Sequence, residues 1–129
     1  MSDSIFTKII KGEIPCHKVY EDDKTLAFLE INPIQPGHVL VVPKVQKHIW
    51  DLPDEDYHAL MSSVKKVANR IQEVLKPDRV GLQVVGVDVR DHAHVHVFPF
   101  NGMAEYRQLP HPAGDEELAE MAEKLRFSN

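Results

Sequence analysis

The stretch His92-Ala93-His94-Val95-His96-Val97-Phe98-Pro99 alternates imidazole with small or β-branched apolar side chains. A period of two is that of a β-strand, whose successive side chains point to opposite faces. Read so, Ala93–Phe98 is a strand that turns Ala93, Val95 and Val97 into a core. His92, His94 and His96 then line an open face, about 6.5–7 Å from one to the next.

The rest of the chain supplies what such a strand packs against. His38-Val39-Leu40-Val41-Val42-Pro43 is nearly all apolar and reads as a central strand. Lys18–Glu21 and Thr25–Ile31 read as a hairpin around Asp22-Asp23-Lys24. In its second strand Leu26, Phe28 and Glu30 share one face. Asn32-Pro33 through Pro36-Gly37 is a loop of turn residues. Pro53 suits the first turn of a helix, with Asp54, Glu55 and Asp56 at its positive end. From Tyr57 to Leu75, apolar residues at helical spacing form one core-facing stripe, and Pro77-Asp78 ends it. Val80–Val85 reads as a fifth strand. Ser4 caps a short helix over Ile5–Lys11 that Gly12 closes, and Gly114 or Asp115 opens a last helix to about Leu125. Strands in runs around one long helix predict an α+β fold: a five-stranded, mainly antiparallel sheet with one long helix and short terminal helices.

Composition sets the outer limits. The 129 residues are 43% hydrophobic and 27% charged, which suits one globular domain over residues 1–129. Fifteen basic against twenty acidic residues give a net charge of −5, so nucleic acid is not the expected partner. No apolar run approaches ~20 residues, and the N-terminus lacks the pattern of a signal peptide. The one cysteine, Cys16, cannot form an internal disulfide. A soluble cytoplasmic protein is the expectation.

The histidine row has three readings. It is a surface strand with incidental histidines, a metal site, or a site for nucleophilic chemistry on an anion. Imidazole is the commonest metal ligand, and His-x-His on a strand can bind zinc. Imidazole also titrates near neutrality, so neighbouring rings can divide labour: one attacks while others donate hydrogen bonds to phosphate oxygens.

The row resembles the His-φ-His-φ-His-φ-φ signature of the histidine triad (HIT) superfamily, φ being apolar. Two further blocks resemble its HINT-like branch in order and spacing. One is Ile5-Phe6-Thr7-Lys8-Ile9-Ile10-Lys11-Gly12-Glu13-Ile14-Pro15. The other runs from Val19-Tyr20-Glu21-Asp22 through Leu26–Pro33 to Pro36-Gly37-His38-Val39-Leu40-Val41-Val42-Pro43-Lys44. The resemblance covers residues 4–100 and leaves a tail and helix over about 101–129 without a match.

This resemblance implies a nucleotide hydrolase, without a cofactor, that forms a nucleotidyl-histidine intermediate. His94 matches the family nucleophile, His96 the histidine that donates to phosphate, His92 the supporting first histidine, and His38 a fourth member of the network. Ile5, Phe6, Ile9, Phe28 and Ile31 match the apolar base pocket. Glu30 stands where many relatives carry a ribose-binding Asp, and a carboxylate accepts both hydroxyls equally well. The implied substrate is a purine nucleoside 5′-phosphoramidate or related conjugate, and the implied assembly a homodimer. A Fhit-like dinucleoside polyphosphate hydrolase, a non-catalytic nucleotide-binding protein and a metal-binding protein are the alternatives.

The chain departs from the family in two places. Many bacterial relatives carry zinc-binding cysteines where this chain has Ser4 and Thr7, which are poor zinc ligands. His48 and His92 are then too few for a closed site, so no structural metal is expected. The family's Gly-Gln-Ser/Thr-Val-type lead-in is replaced by Gly86-Val87-Asp88-Val89-Arg90-Asp91. There Arg90 is a candidate phosphate donor, and Asp91 a candidate to orient a histidine, if they are not simply solvated loop charges.

Overall fold

The computed structural model describes residues 2–127. In chain order the elements are α1 (Ile5–Ile10), β1 (Lys18–Glu21), β2 (Thr25–Leu29), β3 (Val39–Pro43), a 3₁₀ turn (Ile49–Asp51), α2 (Asp54–Leu75), β4 (Arg79–Gln83), β5 (Val95–Phe100), α3 (Met103–Tyr106) and α4 (Asp115–Leu125). The strands form one sheet in the order β1-β2-β3-β5-β4, with every pairing antiparallel. This is the α+β architecture read from the sequence.

The central strand β3 is buried along its whole length, because both faces of the sheet are covered. One face carries Ala27, Leu29, Val39, Val41, Val95 and Val97 against Leu60, Val64, Val67 and Ile71 of α2. Each fully buried aliphatic side chain there is worth about 1.5–3 kcal/mol. The other face carries Leu26, Phe28, Leu40 and Val42 under Phe6 of α1. Leu40 pairs with Phe28 on one side and His96 on the other, so the three lie abreast on the α1 face. At the start of α1, Ser4 Oγ accepts the Thr7 N–H at 3.0 Å and so caps the helix, as read from the sequence. The last helix, α4, packs Leu118, Ala122 and Leu125 into the α2-side core.

Several boundaries move, each for a local reason. The strand expected over Ala93–Phe98 is observed at Val95–Phe100. Its start is delayed because the Ala93 N–H donates to the Lys47 carbonyl and His94 Nδ1 turns back to the His92 carbonyl. The strand expected over Val80–Val85 is Arg79–Gln83, since its partner leaves the ladder beyond His96, opposite Gln83. The strand expected over Thr25–Ile31 stops at Leu29. Pro53 is the N-cap of α2 rather than its first turn. The 3₁₀ turn and α3 had no signal that was read as helical. Trp50 is exposed, Leu52 is core, and Tyr57 packs on that core. Among the described residues, no helix is long and apolar enough to cross a membrane.

Candidate functional site

A cavity of about 750 Å³ opens on the α1 face of the sheet. Ile5, Phe6 and Ile9 of α1 form one wall, and Phe28 and Leu40 form the floor. Glu30 and Ile31, just past the end of β2, form one rim, and His94 and His96 lie in the same cavity. Of the residues assigned to a base pocket by resemblance, all five line this cavity: Ile5, Phe6, Ile9, Phe28 and Ile31. Phe28 is buried, whereas Ile5 and Ile31 are 50% and 62% exposed. Those two apolar side chains have no core to explain them.

The histidines do not form one open row. His92 is fully buried, and His94 is nearly so. The Phe6 ring lies across both, with centroids 5.6 Å from His92 and 5.0 Å from His94. The expectation that three imidazoles line an open face is therefore corrected: α1 closes over His92, and only His94 and His96 reach the cavity. His92 and His38 stand behind them.

Hydrogen bonds assign a tautomer to each ring. The Pro43 carbonyl can only accept, so His92 Nε2–H donates to it at 2.7 Å. His92 Nδ1 then accepts from the Ser4 hydroxyl, also at 2.7 Å. The His92 carbonyl in turn accepts from His94 Nδ1–H at 3.0 Å. The proton of a neutral His94 is thus placed on Nδ1, leaving the lone pair on Nε2. The second pair follows the same logic. The Ile34 N–H donates to His38 Nδ1 at 3.0 Å, so the His38 proton sits on Nε2 and is given to His96 Nδ1 at 3.0 Å. His96 therefore carries its own proton on Nε2. Of the two triad histidines in the cavity, His94 is left with a free lone pair and His96 with a free N–H.

Burial favours the neutral form of three of these rings, His38, His92 and His96. It pushes His38 down to about 3, with the neighbouring His96 adding to the effect. Burial, then His94, pushes His96 down to about 4. His92 is lowered by burial as well. Glu30 moves the other way: burial raises its carboxyl, against a hydrogen bond from the Asn32 N–H at 3.1 Å and the attraction of His94.

Behind His92, Ser4 and Thr7 meet Gln46. Gln46 Oε1 accepts from the Ser4 N–H at 2.8 Å and from the Thr7 hydroxyl at 2.6 Å. Its amide Nε2 donates to Asp91 Oδ2 at 2.9 Å. Asp91 thus orients Gln46 rather than a histidine. His48 lies outside this cluster, paired with Asp51 at 2.7 Å. The set is three oxygens and one imidazole already joined by hydrogen bonds, a poor match to the sulfur and nitrogen preferred by zinc.

Arg90 does not reach the larger cavity. It is exposed and lines a neighbouring cavity of about 310 Å³ with His48, Trp50, Val84 and Val85, where the inner wall is His92 and His94. It stands across His94 from the larger cavity. Several residues in the larger cavity have no site role in the sequence reading, among them Asp88, Ala113, Asp115 and Leu118. Asp88 sits in the divergent lead-in, where the sequence singles out only Arg90 and Asp91. Ala113, Asp115 and Leu118 belong to the tail, which reaches the site because α4 packs back against β1 and β2. Their signal was the amphipathic repeat of α4, which says that the helix docks but not where. Cys16 also lines the cavity, and burial pushes its thiol up, which suits a passive wall.

The chain matches the HIT domain family model over residues 11–103. Adenosine 5′-monophosphoramidase HNT1 of Candida albicans is 34% identical over 134 residues, covering 95% of this chain and 88% of that relative. Adenylylsulfatase HINT3 of Arabidopsis thaliana is 36% identical over 103 residues, covering 76% of this chain and 52% of that relative. The crystal structure of a Hit-like protein involved in cell-cycle regulation from Bartonella henselae matches with a TM-score of 0.84 and 30% identity, covering 98% of both chains. With its triad on the α1 face of an antiparallel sheet and a family match spanning most of its length, this chain belongs to the HIT family.

Proposed function

We propose that this protein hydrolyses a purine nucleoside 5′-phosphoramidate, or a related nucleotidyl conjugate, through a nucleotidyl-histidine intermediate. The observation that carries the reading is the free lone pair of His94 Nε2 beside an apolar cavity with a carboxylate at its rim. The base stacks among Phe28, Ile9 and Ile31, and Glu30 accepts the ribose hydroxyls. His94 Nε2 attacks the α-phosphorus. The P–N bond breaks, and its electron pair leaves on nitrogen, which takes a proton from solvent. Water oxygen then bonds to phosphorus, the P–Nε2 pair returns to His94, and the water proton goes to solvent. His96 Nε2–H donates to a phosphate oxygen throughout, so charge developing there meets a donor already in place. His38 and His92 touch no substrate; they fix the tautomers of His96 and His94.

The names of the two relatives divide on the leaving group, nitrogen in one and sulfate in the other. The test is to incubate the protein in parallel with an adenosine 5′-phosphoramidate and a diadenosine polyphosphate, beside His94→Ala. AMP release from the phosphoramidate, lost in the variant, is expected. Preference for the dinucleotide would move the protein to the polyphosphate hydrolases. Binding of AMP without turnover of either would leave a nucleotide-binding protein. We also propose one unit over residues 1–129 acting as a homodimer, for which the exposed Leu82, Val84 and Val85 on and beyond edge strand β4 offer an apolar seam.

A further inference from the structure

Resting on the nucleotidyl-transfer reading above, we infer that Asp88 selects the leaving group, favouring conjugates whose departing amine carries a positive charge and rejecting sulfate and polyphosphate. Asp88 lies on the loop between β4 and β5, after Gly86, and lines the same cavity as His94, His96 and Glu30. Among the described residues that line this cavity there is no lysine or arginine. The cations of the neighbourhood are elsewhere, Arg90 being on the other cavity.

A site built for a chain of phosphates ordinarily meets its charge with fixed cations. Here one phosphate anion is met by imidazole N–H alone, and three carboxylates, Glu30, Asp88 and Asp115, stand in the same cavity, Asp115 already paired with His17 at 3.0 Å. If Glu30 serves the ribose, Asp88 is left without a ligand partner. It is exposed, and among the described residues no side-chain hydrogen bond or ion pair engages it. Its charge is felt across the site: it raises both Glu30 and His96. A second anion leaving from phosphorus would separate in the field of that carboxylate, whereas an ammonium group on the departing amine would be drawn to it. Asp88 forms no bond and moves no proton in this scheme. The P–N bond breaks as described, with the pair on nitrogen and the proton from solvent.

The test compares kcat/KM for three adenosine 5′-phosphoramidates of similar length, made from 1,3-diaminopropane, propylamine and β-alanine, with adenosine 5′-phosphosulfate as a further anionic case. Each is measured with the wild type, Asp88→Asn and Asp88→Glu at low and high salt. Unit charges about 8 Å apart, at an effective dielectric of about 40, change kcat/KM about fivefold. The wild type is therefore expected to rank cation over neutral over anion, at about fivefold per step. Asp88→Asn should compress the series to within about twofold, Asp88→Glu should restore it, and salt should weaken it. A ranking unchanged in Asp88→Asn, or no ranking in the wild type, overturns the inference while turnover of the neutral conjugate leaves the reaction itself standing. If the neutral conjugate is not cleaved at all, the reaction fails and the inference falls with it. A merely structural role for Asp88 would lower all three substrates together.

Discussion

Taking the protein from pH 7 to pH 5 removes about 3–4 kcal/mol of stability through His38 and His96 alone. An unfolded imidazole titrates near pH 6.5, whereas His38 and His96 in the fold titrate at about 3 and about 4. The folded values are depressed, so their stabilising effect is complete above pH 6.5 and is lost as the pH falls towards 4. In that window the unfolded chain binds protons that the native state refuses. At pH 5 each ring favours the unfolded state by about 2 kcal/mol, against almost nothing at pH 7. Two rings give the stated loss, a large part of the 5–15 kcal/mol typical of a domain. His92, lowered by burial, adds to it. Glu30 opposes it at lower pH, because its raised carboxyl takes up a proton more readily in the fold. Glu21, held low by Lys44 and then Lys18, loses its contribution only as the pH falls below the ordinary carboxylate range. Urea unfolding followed by circular dichroism at half-unit steps of pH reads the slope directly. His38→Gln removes one titrating ring, so its slope between pH 5 and 6 should be shallower by about 1 kcal/mol per unit. Parallel curves for the two proteins, or a wild-type stability that is flat from pH 7 to 5, would refute the neutral buried pair.

Three other outcomes follow from single contacts. Ser4→Ala removes both the α1 cap and the donor to His92 Nδ1, and should cost about 2–3 kcal/mol in a thermal or urea melt, with Ser4→Thr recovering most of it. Glu30→Gln should weaken AMP binding about tenfold in calorimetry, yet leave the 2′,3′-dideoxy analogue within about twofold, since only the former offers hydroxyls. Gly37→Ala should destabilise by at least about 2 kcal/mol: φ is +95°, and an added Cβ would lie 2.6 Å from Leu75 Cδ1.

Local chemistry wrote most of the fold into the sequence. The alternation from His92 to Pro99 and the apolar run of β3 announce strands because period two is a property of the chain itself. Ser4, Gly12 and the Asp54-Glu55-Asp56 turn mark helix ends for the same reason. The resemblance added roles that no spacing could supply, such as a ribose acceptor at Glu30. What alternation could not give was depth. His92 and His96 are equivalent in the pattern, but His92 lies beneath Phe6 and against Ser4, 88 residues earlier in the chain. Burial of that kind is decided by which distant segment arrives on top, and a one-dimensional period contains no such information.

The same limit separates Asp88 from Arg90. Two residues apart on one loop, both are exposed charges, and Arg90 is the one the sequence offers as a candidate because phosphate attracts a guanidinium. The fold sends them into different cavities, with His94 a wall of both. The carboxylate, not the guanidinium, then shares the cavity with His96 and Glu30. A triad signature states that a phosphorus atom can be attacked. On the inference above, the sign of the charge that a leaving group meets is set by how one divergent loop descends into β5. Specificity within a shared chemistry is therefore better sought in the lead-in from Gly86 to Asp91 than in the histidines themselves.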